Sequence, residues 1–563
     1  MRNLYPAWQG GRPWDATIPG AGNKPGIVAG RRIPARCTTG AEAPEKRDVM
    51  QRRVMVENGL VEGLPAADPR ITSFKGIPFA APPVGQYRWR APRPAKNWDG
   101  VLHAYQFAPI SMQHIPGEDP ENLYSREWNV DTSIAMSEDC LHLNIWTPAR
   151  KGDERLPVFV WYFGGGFQEG NTAEMEFDGE RIARRGIVVV TVNYRLNAFG
   201  FLCHPEITAE NPEAPANFGL LDQQFGTRWV QRNIAAFGGD AGNITIGGQS
   251  AGGGSVMAQV VSPQNDGLFQ KAIVDSGLTI TAYPGGFFHR EKNLPEAEQD
   301  GADFFRFLGV SSLAEARRVD AVALRDRMVE YKKFWGPVID GTFYVGDVNE
   351  RFMANQCQLV PMMFGHTATE FPDRPKVRTV GEFRAFAEEA YGEDAEEFLR
   401  LCASSNGSVS EMLHKATVSH LEFSIRLMGE AKARTGETTP MYYWVFNAEI
   451  PGWDNPGAFH SADLWFFFET LAKCWRPFVG KHFDLARMMC TYWADFIRSG
   501  DPNGRDADGA DMPLWKPFTR ENPHRMFFCD RVYSSSKGPG DVMQFLIRQY
   551  LKKHNRPDRR NQR

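Results

Sequence analysis

The chain has 563 residues, 42% hydrophobic and 12% aromatic against 23% charged, a composition that supports a large buried core and falls outside the disordered and fibrous classes. Its 64 Lys and Arg against 68 Asp and Glu give a formal net charge of -4, which leaves no basic surplus to neutralise phosphates and excludes nucleic acid as an expected partner. The richest apolar runs, Leu156 to Phe163 and Ile187 to Val192, are strand-sized and fall well short of the roughly 18 apolar residues of a membrane span.

Residues 1–50 are rich in Gly and Pro, as in Gln9-Gly10-Gly11-Arg12-Pro13, and carry neither helical nor strand periodicity. They read as a flexible N-terminal extension. They also contain no apolar core of a secretory signal, so a cytoplasmic protein is expected. Patterned sequence starts with Arg53-Val54-Met55-Val56, which makes Met50 a candidate start. One catalytic-sized domain is expected over 51–545, followed by a basic, solvated tail over 546–563.

From about 140 to 280, short apolar or β-branched runs alternate with amphipathic segments, the pattern of a mostly parallel sheet covered by helices. Strands are expected at Leu156–Trp161, Ile187–Val192 and Ile244–Gly247, with a helix from Leu221 to Ile234 between the last two. The segment near 281–440 is more helical and irregular and reads as an insertion, after which Met441–Phe446 resumes the sheet. The eight cysteines, at positions 37, 140, 203, 357, 402, 474, 490 and 529, lack the close spacings of a zinc site or redox pair, so free and mostly buried thiols are expected.

Gly248-Gln249-Ser250-Ala251-Gly252 matches the G-x-S-x-G turn, in which glycines permit a sharp strand-to-helix bend that lifts a serine hydroxyl clear of a sheet. The motif alone recurs in ordinary loops. Here a β-branched strand leads directly into it and small residues follow, as that turn requires. A serine hydroxyl is a poor nucleophile at neutral pH and needs both a base and donors for the oxyanion formed on attack. Gly164-Gly165-Gly166-Phe167, at the end of an expected strand, is the candidate donor loop.

Several ordered segments resemble the type-B carboxylesterase family, the cholinesterase-like branch of the α/β-hydrolases, over roughly residues 54 to 520. They are Phe74-Lys75-Gly76-Ile77-Pro78-Phe79-Ala80, Ser137-Glu138-Asp139-Cys140-Leu141-His142-Leu143-Asn144, Gly219-Leu220-Leu221-Asp222-Gln223, Phe237-Gly238-Gly239-Asp240 and Gly500-Asp501-Pro502-Asn503. The resemblance implies an α/β-hydrolase fold, a small-molecule ester substrate, serine esterase chemistry and no metal or organic cofactor. It implies Ser250 as nucleophile, Glu370 in Gly365-His366-Thr367-Ala368-Thr369-Glu370 as the acid, and His460 in Gly457-Ala458-Phe459-His460 as the base. It also implies the backbone amides of Gly165, Gly166 and Ala251 as oxyanion donors. Without it, any of twelve histidines would compete for the role of base.

The sequence departs from the family pattern at three places. Gln249 stands before the serine where cholinesterases often carry Glu, which argues against a choline-ester site. Ser111 occupies the position that in the family often bridges to the cysteine matching Cys140, so that loop is expected without a cross-link. Phe163 precedes the three glycines where many members carry His or Tyr. Trp465, Phe466, Phe467 and Phe468 read as core residues or as walls of a substrate pocket. A non-catalytic cholinesterase-like binding protein and a lipase working at lipid interfaces stand as alternatives.

Overall fold

Residues 239–249 form the longest strand of an eleven-stranded sheet. The computed structural model describes residues 50–114, 123–128, 134–284, 291–506 and 508–554, and the strands of this sheet, in chain order, are β1 (Leu64–Pro65), β2 (Thr72–Pro78), β3 (His142–Thr147), β4 (Leu156–Tyr162), β5 (Val188–Val192), β6 (Gly239–Gln249), β7 (Lys271–Asp275), β8 (Met362–Thr367), β9 (Met441–Phe446), β10 (Arg525–Phe528) and β11 (Val532–Ser535). Their spatial order is β11-β10-β9-β8-β7-β6-β4-β5-β3-β2-β1. Every neighbouring pair from β10 to β5 is parallel. Both edges are antiparallel.

The central strands are apolar at nearly every position because both of their faces are covered. Alternate side chains feed two cores: Val158, Val160 and Tyr162 of β4 point into one, and Phe159 and Trp161 into the other. The same alternation divides Met441, Tyr443 and Val445 of β9 from Tyr442, Trp444 and Phe446. The first core is closed by Trp229 and Val230 of α2 (Phe218–Asn233) and by Val256, Met257 and Val260 of α3 (Ala251–Val261). α1 is the short helix Leu123–Trp128. A third cluster packs α4 (His420–Thr435) against neighbouring helices and the C-terminal helix.

The expected strands fall on β4, β5, β6 and β9, and the expected helix on α2. The segment 281–440 is not one insertion. Its helices are interrupted by β8, which pairs with β7 on one side and β9 on the other in the middle of the sheet. Residues 546–554, expected as the start of a solvated tail, are the second half of helix α7 (Asp541–His554), after α5 (Leu464–Phe467) and α6 (Gly480–Ser499). Phe545, Leu546 and Ile547 are buried in the third cluster, which anchors the helix. The expected extension over 1–50, with Cys37, lies outside the described residues except for Met50, and so does the end of the chain after His554. Among the described residues, no helix is long and apolar enough to cross a membrane.

Trp465, Phe466, Phe467 and Phe468 are all buried. Phe467 packs against Trp161 and Trp493, and Phe468 meets Trp161 edge-on at 5.0 Å. They form the second core rather than the wall of a pocket. The seven described cysteines are free, and Ser111 is in side-chain hydrogen-bond contact with the Cys140 thiol.

Candidate active site

All the sequence-predicted site residues come from the C-terminal ends of parallel strands, where open α/β sheets place their ligands. Ser250 follows β6 directly, Gly164 to Gly166 follow β4, Glu370 lies three residues beyond β8, and His460 is carried on the connection after β9. The structure brings three of them into one hydrogen-bonded chain. His460 Nε2 lies 2.8 Å from Ser250 Oγ, and His460 Nδ1 pairs with Glu370 Oε2. His460 and Glu370 are buried, while Ser250 is half-buried.

Ser250 has φ 57° and ψ -124°, a conformation that costs a non-glycine residue about 1–3 kcal/mol and persists only where its surroundings over-determine it. Two backbone bonds fix the turn: Ser250 N–H donates to Asp275 O at 2.9 Å, and Ser250 O accepts from Gly254 N–H at 2.9 Å. The turn also needs α3 to lie tight on the sheet. A Cβ on Gly252 would stand 2.0 Å from the Tyr162 carbonyl oxygen, so only glycine allows this approach.

The three expected donor amides sit around that turn. Ala251 N–H belongs to the first residue of α3, where helix amides have no intrahelical acceptor and the helix end favours negative charge. Gly165 and Gly166 have φ of 105° and 62°. Among the described residues, none of the three amides donates to a protein acceptor. The loop is held from behind: Gly170 N–H donates to Gln113 Oε1 at 2.8 Å, and Asn197 N–H donates to Phe167 O at 2.7 Å. Phe163 is buried, stacks on Tyr194 at 4.3 Å, and its carbonyl accepts the Tyr194 hydroxyl at 2.7 Å. That side chain therefore belongs to the core beneath the loop.

Glu370 is held by more than His460. Its Oε1 accepts from Thr367 N–H at 2.6 Å and from Ser276 Oγ at 2.7 Å. Thr369 Oγ1 donates to Ala458 O at 2.7 Å, tying the acid-bearing loop to the histidine-bearing one. Burial works to raise the Glu370 carboxyl, but the charge and hydrogen bond of His460, the charge of His366 and the Ser276 bond outweigh it, and the group is held below its ordinary value. The Phe371 ring packs on the His460 imidazole at 4.5 Å.

Sequence reasoning missed Ser276, Thr367 and Phe371, and it treated Gln249 only as an absent charge. In the structure, Gln249 Nε2 lies 3.3 Å from His460 Nε2. The signal for Ser276 was its place directly after a wholly buried strand that ends in Asp275. Among the described residues, no three His, Cys, Asp or Glu side chains gather as a metal site.

Strand order, crossover pattern and the sharp turn at Ser250 are those of the α/β-hydrolase class. The carboxylesterase family model matches residues 50–533, and the chain belongs to that family. It is 32% identical over 484 residues to the fumonisin B1 esterase of Sphingopyxis macrogoltabida, covering 82% of this chain and 84% of that protein. It is 38% identical over 306 residues to a cholinesterase of Mus musculus, covering 52% of this chain and 49% of that one. A solved PNB esterase structure superposes with a TM-score of 0.70 at 27% identity, covering 88% of this chain and 99% of that chain. The protein is a carboxylic ester hydrolase.

Proposed function

We propose that the protein hydrolyses carboxylic esters through an acyl-enzyme on Ser250. His460 takes the Ser250 proton as the hydroxyl attacks the ester carbonyl, and Glu370 fixes the imidazole tautomer and stabilises the imidazolium. The amides of Gly165, Gly166 and Ala251 receive the oxyanion. Collapse of the tetrahedral intermediate releases the alcohol, with His460 donating the proton. Water activated by the same histidine then releases the acid. No metal or organic cofactor enters these steps.

The observation that carries this reading is the 2.8 Å approach of His460 Nε2 to Ser250 Oγ with Glu370 on the far ring nitrogen. On this reading the catalytic domain starts at 51 and includes helix α7, whose Leu546 and Ile547 are buried in its third cluster. Seven free cysteines among the described residues support a cytoplasmic setting.

The test is labelling by a fluorophosphonate probe, run beside Ser250→Ala, with short p-nitrophenyl esters as substrates. Labelling and turnover confined to the unaltered protein are expected. A folded protein that does neither would leave the non-catalytic binding role in its place. Fumonisin B1, offered as a second substrate because of the 32% identical relative and with its hydrolysis followed by chromatography, asks whether that ester is accepted.

A further inference from the structure

Glu370 is not the only carboxyl buried behind the Ser250–His460 pair. The Ser276 hydroxyl that bonds Glu370 Oε1 at 2.7 Å also lies 3.0 Å from Asp275 Oδ1. Asp275 closes β7 and is fully buried. So is Asp463, three residues after His460. The two carboxyls are in side-chain hydrogen-bond contact with each other.

Among the described residues, no N–H or O–H completes a hydrogen bond of normal geometry with Asp275 Oδ2 or either Asp463 oxygen, although the Asp463 backbone amide lies close to its own carboxyl. The Trp444 indole faces Asp463 without completing a hydrogen bond of normal geometry. Two buried carboxylates in contact with no donor between them would repel each other and leave both charges uncompensated. A single proton between them removes the repulsion and supplies the missing donor.

We propose that Asp275 and Asp463 share one proton as a carboxyl–carboxylate pair, and that the charge remaining on the pair, linked through Ser276 to Glu370, strengthens His460 as base. This rests on the reading of His460 as base given above. Asp275 and Asp463 are positioning residues, since neither touches the reacting atoms. The proton stays on the pair throughout the cycle. When His460 becomes imidazolium, the buried cluster holds the Glu370 charge and one further negative charge to balance it.

The surroundings agree. Burial raises both aspartyl groups above the ordinary value, and repulsion from Glu370, with that of Asp463 on Asp275, adds to it. The groups facing the pair are Glu370 from the loop after β8, Ser276 from the end of β7 and Trp444 from β9. Beyond Glu370 stand His460, His366 on β8 and His420 on α4.

The test uses Asp275→Asn, Asp463→Asn and the double variant. In each single variant an amide N–H takes the place of the shared proton and one carboxylate remains, so the acid limb of the kcat/KM profile stays where it is. The double variant removes the charge and moves that limb down by roughly half to one pH unit. Asp275→Leu, which leaves Asp463 alone and neutral, reaches the same loss by a second route and gives the same shift. Infrared difference spectroscopy reads the proton itself: at neutral pH the unaltered protein shows, against each single Asn variant, a protonated-carboxyl carbonyl band that moves in heavy water.

Absence of that band, or a folded double variant with an unmoved acid limb, overturns the proposal. If His460 were not the base, the acid limb would be missing from the unaltered protein while the infrared band persisted, so the two failures are distinct.

Discussion

Gln249 Nε2 stands 3.3 Å from His460 Nε2, the same nitrogen that Ser250 Oγ approaches at 2.8 Å. An uncharged amide therefore sits beside the atom that, on the proposed mechanism, gains and loses a proton. Gln249→Glu would place a carboxylate there and favour the imidazolium. The acid limb of kcat/KM should then rise by about one pH unit, with turnover at pH 6 lowered accordingly. A pH profile of p-nitrophenyl acetate hydrolysis measures this, and an unmoved limb would show that the amide makes no electrostatic difference.

The left-handed conformation of Ser250 yields a stability prediction that is separate from activity. Both Ser250→Ala and Ser250→Gly should lower turnover by about 10⁴-fold or more. Glycine alone relieves the backbone strain, so Ser250→Gly should be the more stable of the two by roughly 0.5–1 kcal/mol after its own entropy cost. Urea unfolding of the two variants side by side gives the difference directly. Equal midpoints would mean that the turn carries no strain.

Gly252 is the point where α3 meets β4. A methyl group placed 2.0 Å from the Tyr162 carbonyl oxygen cannot be accommodated by rotating a side chain, because the obstacle is backbone. Gly252→Ala should cost about 2–4 kcal/mol and displace Ser250 along with the helix. Turnover should fall by about 100-fold in whatever fraction folds. A variant with ordinary stability and activity would disprove the tight contact.

Glu370 combines a pH effect on stability with one on rate. Its carboxyl is held below its ordinary value in the folded protein. It therefore contributes stability that is fully present above about pH 4.3 and is lost as pH falls through the folded value. The stability gap between the unaltered protein and Glu370→Gln should narrow on acidification through that window. At neutral pH the same variant should lose about 10³- to 10⁴-fold in kcat, because the amide no longer stabilises the imidazolium. A gap that stayed constant with pH would mean that the carboxylate is not favoured by folding.

The central strands were readable because burial on both faces leaves an unbroken apolar run, as in Val188–Val192. β8 was not. Met362-Met363-Phe364-Gly365-His366-Thr367 has few β-branched residues and borrows its extended form from β7 and β9 on either side. Ser250 announced itself through local chemistry, since its turn demands glycines at fixed offsets. Glu370 and His460 did not, because they lie 90 residues apart and His460 lies 210 from Ser250. No local pattern spans such distances, and only resemblance reached them. Asp275 and Asp463 escaped notice because nothing in a sequence marks two acids that will face each other in the dry interior. The last helix was hidden by its charges: Lys552 and Lys553 suggested a solvated tail, while Phe545, Leu546 and Ile547 were the residues that mattered.

The placement of each site group on a different strand also bears on how the molecule acquires its activity. Ser250 hangs from β6, Glu370 from β8 and His460 from the connection beyond β9, so the proposed nucleophile emerges from synthesis long before its proposed base. No nascent chain ending before residue 460 holds a working centre, however well its first strands have paired. During refolding, recovery of ester cleavage must lag behind recovery of helical signal, because it waits for two residues 210 positions apart, Ser250 and His460, to meet. Enzymatic turnover in this chain is thus a clock for the arrival of the segment beyond β9 beside Ser250.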